Sequence, residues 1–235
     1  MLRRLSGFDP ASSLLWTAAI AVLVFLYVPA AIVILYSFSK EATLIYPLKG
    51  LSLEWYGVLF RDHDMLLSLR NSAIVALSSI SIGLAVGVPA AFALDRYSFP
   101  GKWFLERLLL LPFVLPGVIT GIILLSFFLF LRVKLSLFTV IAAHATLMIA
   151  VVITEVSVGL KRWDRTVEQA AMDLGANEFK TFFYVTLPNL QPVIAGAILL
   201  GMTLSLDEIS RTFFLTGIDN TLPIHICATM RRGIN

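Results

Sequence analysis

Five apolar runs, at 13–38, 68–94, 105–131, 136–160 and 187–206, constrain this chain more than any other feature. Each is as long as the roughly 20 helical residues that cross a bilayer core. In lipid no water satisfies backbone N–H and C=O groups, so segments of this length cross as helices that close their own hydrogen bonds. The runs therefore predict an all-α integral membrane protein with five visible spans. Composition agrees: of 235 residues 58% are hydrophobic and 14% charged, against about a quarter charged in soluble domains. The first run follows Arg3 and Arg4. It is longer than the roughly 7 to 15 apolar residues of a signal peptide and is read as an uncleaved helix.

The formal net charge is +3 and the isoelectric point is near 9.1. The basic residues are scattered among short loops without interleaved aromatics, so no nucleic-acid surface is expected. Cys227 is the only cysteine, which leaves no internal disulfide and no cysteine cluster for a metal. His63, His144 and His225 lack metal-ligand spacing, and no metal is assigned.

Polar segments at 40–67, 95–104, 132–135, 161–187 and 207–235 separate the runs and must alternate between the two faces of the membrane. Lys and Arg are shared about equally between the faces, so charge bias does not orient the chain. An odd number of spans puts the termini on opposite sides. The chain stops after Arg231 and Arg232 with no closing helix, and a sixth span is expected beyond Asn235. One polytopic domain, 1–235, is the expected organisation.

Inside the runs, Pro112, Pro116, Gly117 and Gly121 crowd the third, and Gly83, Gly87 and Pro89 the second. Bends or close helix contacts are expected there, because neighbours can satisfy the backbone groups that proline frees and small residues let helices approach. Trp55 and Tyr56 have the character of an interfacial anchor.

The segment 161–187 is polar where its neighbours are oily. Thr166 and Gln169 have the spacing of a capping box, which predicts a helix start. Val167, Ala170, Ala171 and Leu174 fall on one apolar face, with Glu168, Gln169, Met172 and Asp173 around the rest. Gly175 is placed to end the helix in the left-handed conformation. Asn177 can cap a second short helix, and Pro188 stands where the fifth span would begin. A lipid anchor gains affinity from large apolar side chains. The small Ala170 and Ala171 make instead a thin helix suited to a groove on another protein.

These residues resemble the cytoplasmic signature of permease subunits of bacterial ABC importers: Glu-Ala-Ala, three residues, Gly, nine residues, Ile, one residue, Leu-Pro. Gln169-Ala170-Ala171, Gly175, Val185 and Leu187-Pro188 match it at full spacing, with Gln169 for the usual Glu and Val185 for the usual Ile. Glu168 stands one position before the signature's Glu. The stretches LYVPAAIVILYSFS (26–39), LSLEWYGVLF (51–60), ALDRYSFPGK (93–102), LPFVLPGVITGIILL (111–125) and LSLDEISRTFFLTG (204–217) are similar to the spermidine/putrescine branch of these permeases.

The resemblance implies the type I importer bundle of six spans, in the bacterial inner membrane, with both termini inside. It makes 161–187 the cytoplasmic coupling loop and 40–67 and 207–235 periplasmic. It implies a second permease subunit of a different sequence, two ATP-binding subunits, and a periplasmic solute-binding protein. ATPase coupling would then fall to Glu168, Gln169, Ala170, Ala171, Asp173, Gly175, Leu187 and Pro188. No GxxxxGK[ST] phosphate loop occurs, and Gly101-Lys102 is only a fragment of one. ATP and magnesium therefore belong to the partner ATPase, and the chain is a transport subunit with no cofactor of its own. The implied solute is a polyamine or related organic cation. A permease for iron, an opine or another amino-acid derivative, and a membrane scaffold that recruits a soluble partner, are the alternatives.

Asp207 and Glu208 are candidates for the solute path. They stand roughly 26 Å along the fifth helix from Leu190, and acidic groups at that depth would favour a cation. Interfacial water, or Arg211 one turn away, is the alternative partner for both.

Overall fold

A computed structural model describes residues 10–41, 48 and 50–232. Arg3 and Arg4 ahead of the first run, and 233–235 at the end of the last loop, lie outside them. The helices run in the order α1 (Pro10–Ser37), α2 (Glu54–Leu59), α3 (His63–Arg96), α4 (Lys102–Val114), α5 (Gly117–Phe130) and α6 (Leu137–Arg162). They continue as α7 (Thr166–Asp173), α8 (Glu178–Thr181), a π turn (Phe182–Thr186), α9 (Leu187–Asn189), α10 (Gln191–Leu206), α11 (Ser210–Leu215) and α12 (Leu222–Arg232). Contacts divide the chain into two units, 1–63 and 64–235.

In the first unit α1 is apolar around its whole circumference, as a helix that crosses a bilayer can be. Beyond it, Ser39 and Leu51 pair as an isolated antiparallel bridge. The hydroxyl of Tyr56 lies 2.8 Å from that of Ser37, and its ring is 5.5 Å from Phe38. Tyr56, expected as an interface anchor, is seen here to fix the exit of α1.

The second unit is built around α6. Its Ala- and Val-rich faces meet α3 and α10 in one apolar cluster, Ile80, Val88, Met148, Val152 and Ala197 among them. A second cluster, with Val75, Phe128, Val140 and Leu215, joins α3, α5, α6 and α11. Lipid is as apolar as leucine, so close packing and not water exclusion must hold such helices together. Gly83 and Gly87 make the approach possible. A Cβ at Gly83 would stand 2.8 Å from the Cβ of Met148, and one at Gly87 2.8 Å from the Cβ of Val152.

Two of the five expected spans are not straight helices. The run 105–131 is broken into α4 and α5, which meet at 106°, and the α8–α9 segment meets α10 at 63°. Neither α4, with 13 residues, nor α5, with 14, reaches the roughly 20 residues of a full crossing, so this run can cross only as a bent pair. Both bends stand at a proline four residues after another, Pro112 and Pro116 in one case, Pro188 and Pro192 in the other. The second proline has no N–H for the carbonyl of the first, and its ring collides with that carbonyl. Pro188 therefore does not open the fifth span as expected. The long helix starts at Gln191, with Pro192 in its first turn, where a missing donor costs nothing.

Candidate functional site

Two polar clusters lie in the second unit, one at each half of α6. The first is at the end that carries 163–186. Here α7 begins, but not through the expected box: Thr166 is already helical, and its backbone N–H donates to Oδ1 of Asp164 at 2.9 Å. An Asp two residues ahead can satisfy that donor as an Asx turn, which leaves Thr166 free to enter the helix. Those hydrogen bonds from Thr166 hold the Asp164 carboxyl below its ordinary pKa of 3.8.

The far end of α7 follows expectation. Gly175 has φ of +92°. Its N–H donates to the carbonyl of Met172 at 2.9 Å, and that of Ala176 to the carbonyl of Ala171 at 3.1 Å, the paired bonds of a Schellman end. Asn177 Oδ1 accepts from the Lys180 N–H at 2.8 Å and caps α8.

Which side of α7 turns inward was not legible from periodicity. Val167 and Ala170 are exposed, and Leu174 is 91% exposed. Glu168, by contrast, is 5% exposed. One of its carboxylate oxygens pairs with Arg96 at the end of α3, and the other accepts from the hydroxyl of Thr186 at 2.7 Å. Glu168 therefore points into this chain. Asp95, beside Arg96, accepts from Arg165 at 2.8 Å. The Arg96 guanidinium lies 5.0 Å from the Phe92 ring centre, and Phe92 meets Phe182 edge-on at 4.9 Å. A cavity of about 240 Å³ opens between Phe92, Arg96, Glu168, Met172, Glu178 and Phe182.

Gln169, Asp173, Leu174 and Pro188 stand on the outer surface of this end, and Ala171 and Leu187 are half-buried. Sequence reasoning missed Asp95, Arg96 and Thr186. The available signal was the Asp95–Arg96 pair in a polar segment that alternation of the apolar runs expects on the same side as 161–187.

The second cluster lies where α10 breaks. Asp207 is exposed, whereas Glu208 pairs with Arg211. Arg211 also donates to the Pro112 carbonyl at 3.0 Å. This is the carbonyl that Pro116 leaves without an N–H, so the buried guanidinium completes the α4–α5 bend. His144 bridges the Ser205 hydroxyl at 2.8 Å and the Thr212 hydroxyl at 2.9 Å. Asp207 and Glu208 thus differ: one is open to its surroundings and the other serves a packed joint.

Residues 83–229, more than half of the chain and both clusters, match the family described as binding-protein-dependent transport system inner membrane component. The chain belongs to that family. It is a transport permease of the inner membrane and not an enzyme. Relatives include the putrescine transport system permease protein PotI of Escherichia coli, 36% identical over 219 residues, which are 90% of this chain and 78% of that one. The spermidine/putrescine transport system permease protein PotC of the same organism is 31% identical over 216 residues, 92% and 81% of the two chains. Among solved structures, a bacterial ABC transporter involved in import of the acidic polysaccharide alginate superposes with a TM-score of 0.72. It covers 100% of this chain and 85% of its own at 16% identity. The permease therefore has the fold of an ABC importer's membrane subunit.

Proposed function

We propose that this permease is one of two membrane subunits of an ATP-driven importer for a polyamine, putrescine or a close analogue. A periplasmic binding protein delivers the solute, and two separate ATPase subunits dock on the end that carries 161–187, which faces the cytoplasm. Periplasmic segments are then 40–67 and 207–235. The observation that carries the solute assignment is the 36% identity to a putrescine permease over nine-tenths of the chain. Support for the docking assignment comes from α7, which is capped at both ends and presents Val167, Ala170 and Leu174 outward. A short stiff helix of this kind transmits displacement as a body. Gln169, Ala170, Ala171, Asp173, Gly175, Leu187 and Pro188 form the coupling surface, while Glu168 fastens it from behind. Asp207, the exposed carboxylate of the second cluster, is the better candidate of its pair for contact with a cationic solute.

The test is uptake of labelled putrescine into proteoliposomes that hold this chain, its partner permease, the ATPase and the binding protein. ATP-dependent accumulation is expected. Gly175→Arg places a bulky charged residue at φ of +92°, where L side chains are strained, on the docking surface. Uptake should be lost while the chain still inserts in the membrane. Normal substrate-stimulated ATP hydrolysis and uptake by the Gly175→Arg complex would refute the coupling role of this loop.

A further inference from the structure

We infer that Arg96 is the positioning residue through which movement of α7 reaches the spans, an inference that rests on the coupling role proposed above. α7 packs mainly on its neighbours α8 and the π turn, so its links to long helices are few and polar. Glu168, the buried side chain of α7, carries two of them. It holds Arg96, at the last turn of α3, and Thr186, one residue before α9 leads into α10. One carboxylate thus joins the coupling helix to two transmembrane segments at once.

Arg96 is itself held. Asp95 lies 3.7 Å from its Nε, Phe92 lies under its guanidinium, and its side chain is 18% exposed. Asp95 reaches Arg165, just ahead of α7, at 2.8 Å, so the end of α3 grips α7 at its entry and again one turn later. Charge-assisted bonds of this kind are short and directional. A push on α7 must carry Arg96 and Thr186 with it or break these bonds, whereas a purely apolar contact would let the helix slide. Arg96 acts on α7 through the carboxylate of Glu168. Its work is to keep displacement of α7 in register with α3.

The experiment compares wild type, Arg96→Gln, Arg96→Lys and the exchange Arg96→Glu with Glu168→Arg, each in the full complex in proteoliposomes. Putrescine uptake and ATP hydrolysis are measured together, per assembled complex. Arg96→Gln should keep hydrolysing ATP while putrescine moved per ATP falls about tenfold, the scale on which a residue in a coupling network acts. Arg96→Lys, which keeps the charge and loses the planar fork, should fall between. The exchanged pair should recover part of the ratio, since charge complementarity is restored. Unchanged putrescine per ATP in Arg96→Gln overturns the inference. So does a loss of uptake and hydrolysis in equal proportion, which marks Arg96 as structural only. A wild-type complex that hydrolyses ATP but moves no putrescine defeats the proposed function itself, and the inference with it.

Discussion

Replacement of Arg211 by methionine removes the charge that holds the α4–α5 bend while keeping an unbranched side chain along the path of the arginine stem. Arg211 and Glu208 have side chains 6% and 14% exposed, so the variant leaves a carboxylate that solvent barely reaches without its counter-ion, with only the backbone N–H at position 211 still donating to its Oε1 at 3.1 Å. An unpaired buried charge of this kind costs about 3–5 kcal/mol. The Pro112 carbonyl loses a charged donor at 3.0 Å, and an orphaned buried acceptor costs about 1–3 kcal/mol. Both losses stem from one guanidinium, so they overlap and do not sum. The expected total is about 4 kcal/mol, set mainly by the stranded charge.

Glu208→Gln in the same background removes that charge, and the double variant should keep only the carbonyl deficit of about 1–3 kcal/mol. Unfolding by sodium dodecyl sulfate in mixed micelles, followed by far-ultraviolet circular dichroism, measures all four members of the cycle. The coupling energy should be at least the part of the Arg211→Met loss that Glu208→Gln relieves, about 1–3 kcal/mol, and larger by whatever Glu208→Gln alone costs through the unpaired guanidinium. A loss below about 1 kcal/mol in Arg211→Met, the value of an exposed pair, would refute the reasoning. A cycle with no coupling would do the same.

Gly87→Ala and Gly196→Ala should move stability in opposite directions in the same titration. Gly87 has Val152 at 2.8 Å from the new methyl group, whereas Gly196 has nothing within 4 Å. The first should lose about 1–3 kcal/mol to overpacking and the second gain up to about 1 kcal/mol of helix propensity; losses of equal size would discount the close approach of α3 and α6. His144→Leu deprives the Ser205 and Thr212 hydroxyls of a buried partner and should cost about 1–3 kcal/mol. A variant as stable as wild type would show that this bridge holds nothing. The Asp164 carboxyl has a folded-state pKa below its ordinary 3.8. Its contribution to α7 is therefore present above that ordinary value and lost as pH falls through the lower, folded one. Hydrogen exchange at pH 7 should be faster at the amides of α7 in Asp164→Ala than in wild type. Asp164→Asn, which keeps the acceptor, should remove the pH dependence.

Much of this molecule was legible in residue order, because lipid leaves the backbone few choices. The five apolar runs required helices, Gly175 and Asn177 marked the end of one short helix and the cap of the next, and the spacing from Gln169 to Pro188 carried the family resemblance. Each of these depends on chemistry within a few residues along the chain. The proline pairs could have announced the bends, since Pro116 and Pro192 each lack the N–H that the carbonyl four residues back would take in a continuous helix. Their angles of 106° and 63° could not be read, because they depend on what packs against the broken turns. Tertiary structure alone decided that Glu168 faces Arg96 across 72 residues of sequence, and that Arg211 answers a carbonyl 99 residues away. Periodicity gives a helix its faces but not their neighbours. Which charge is stranded, paired or left open is settled only when distant segments share one interior.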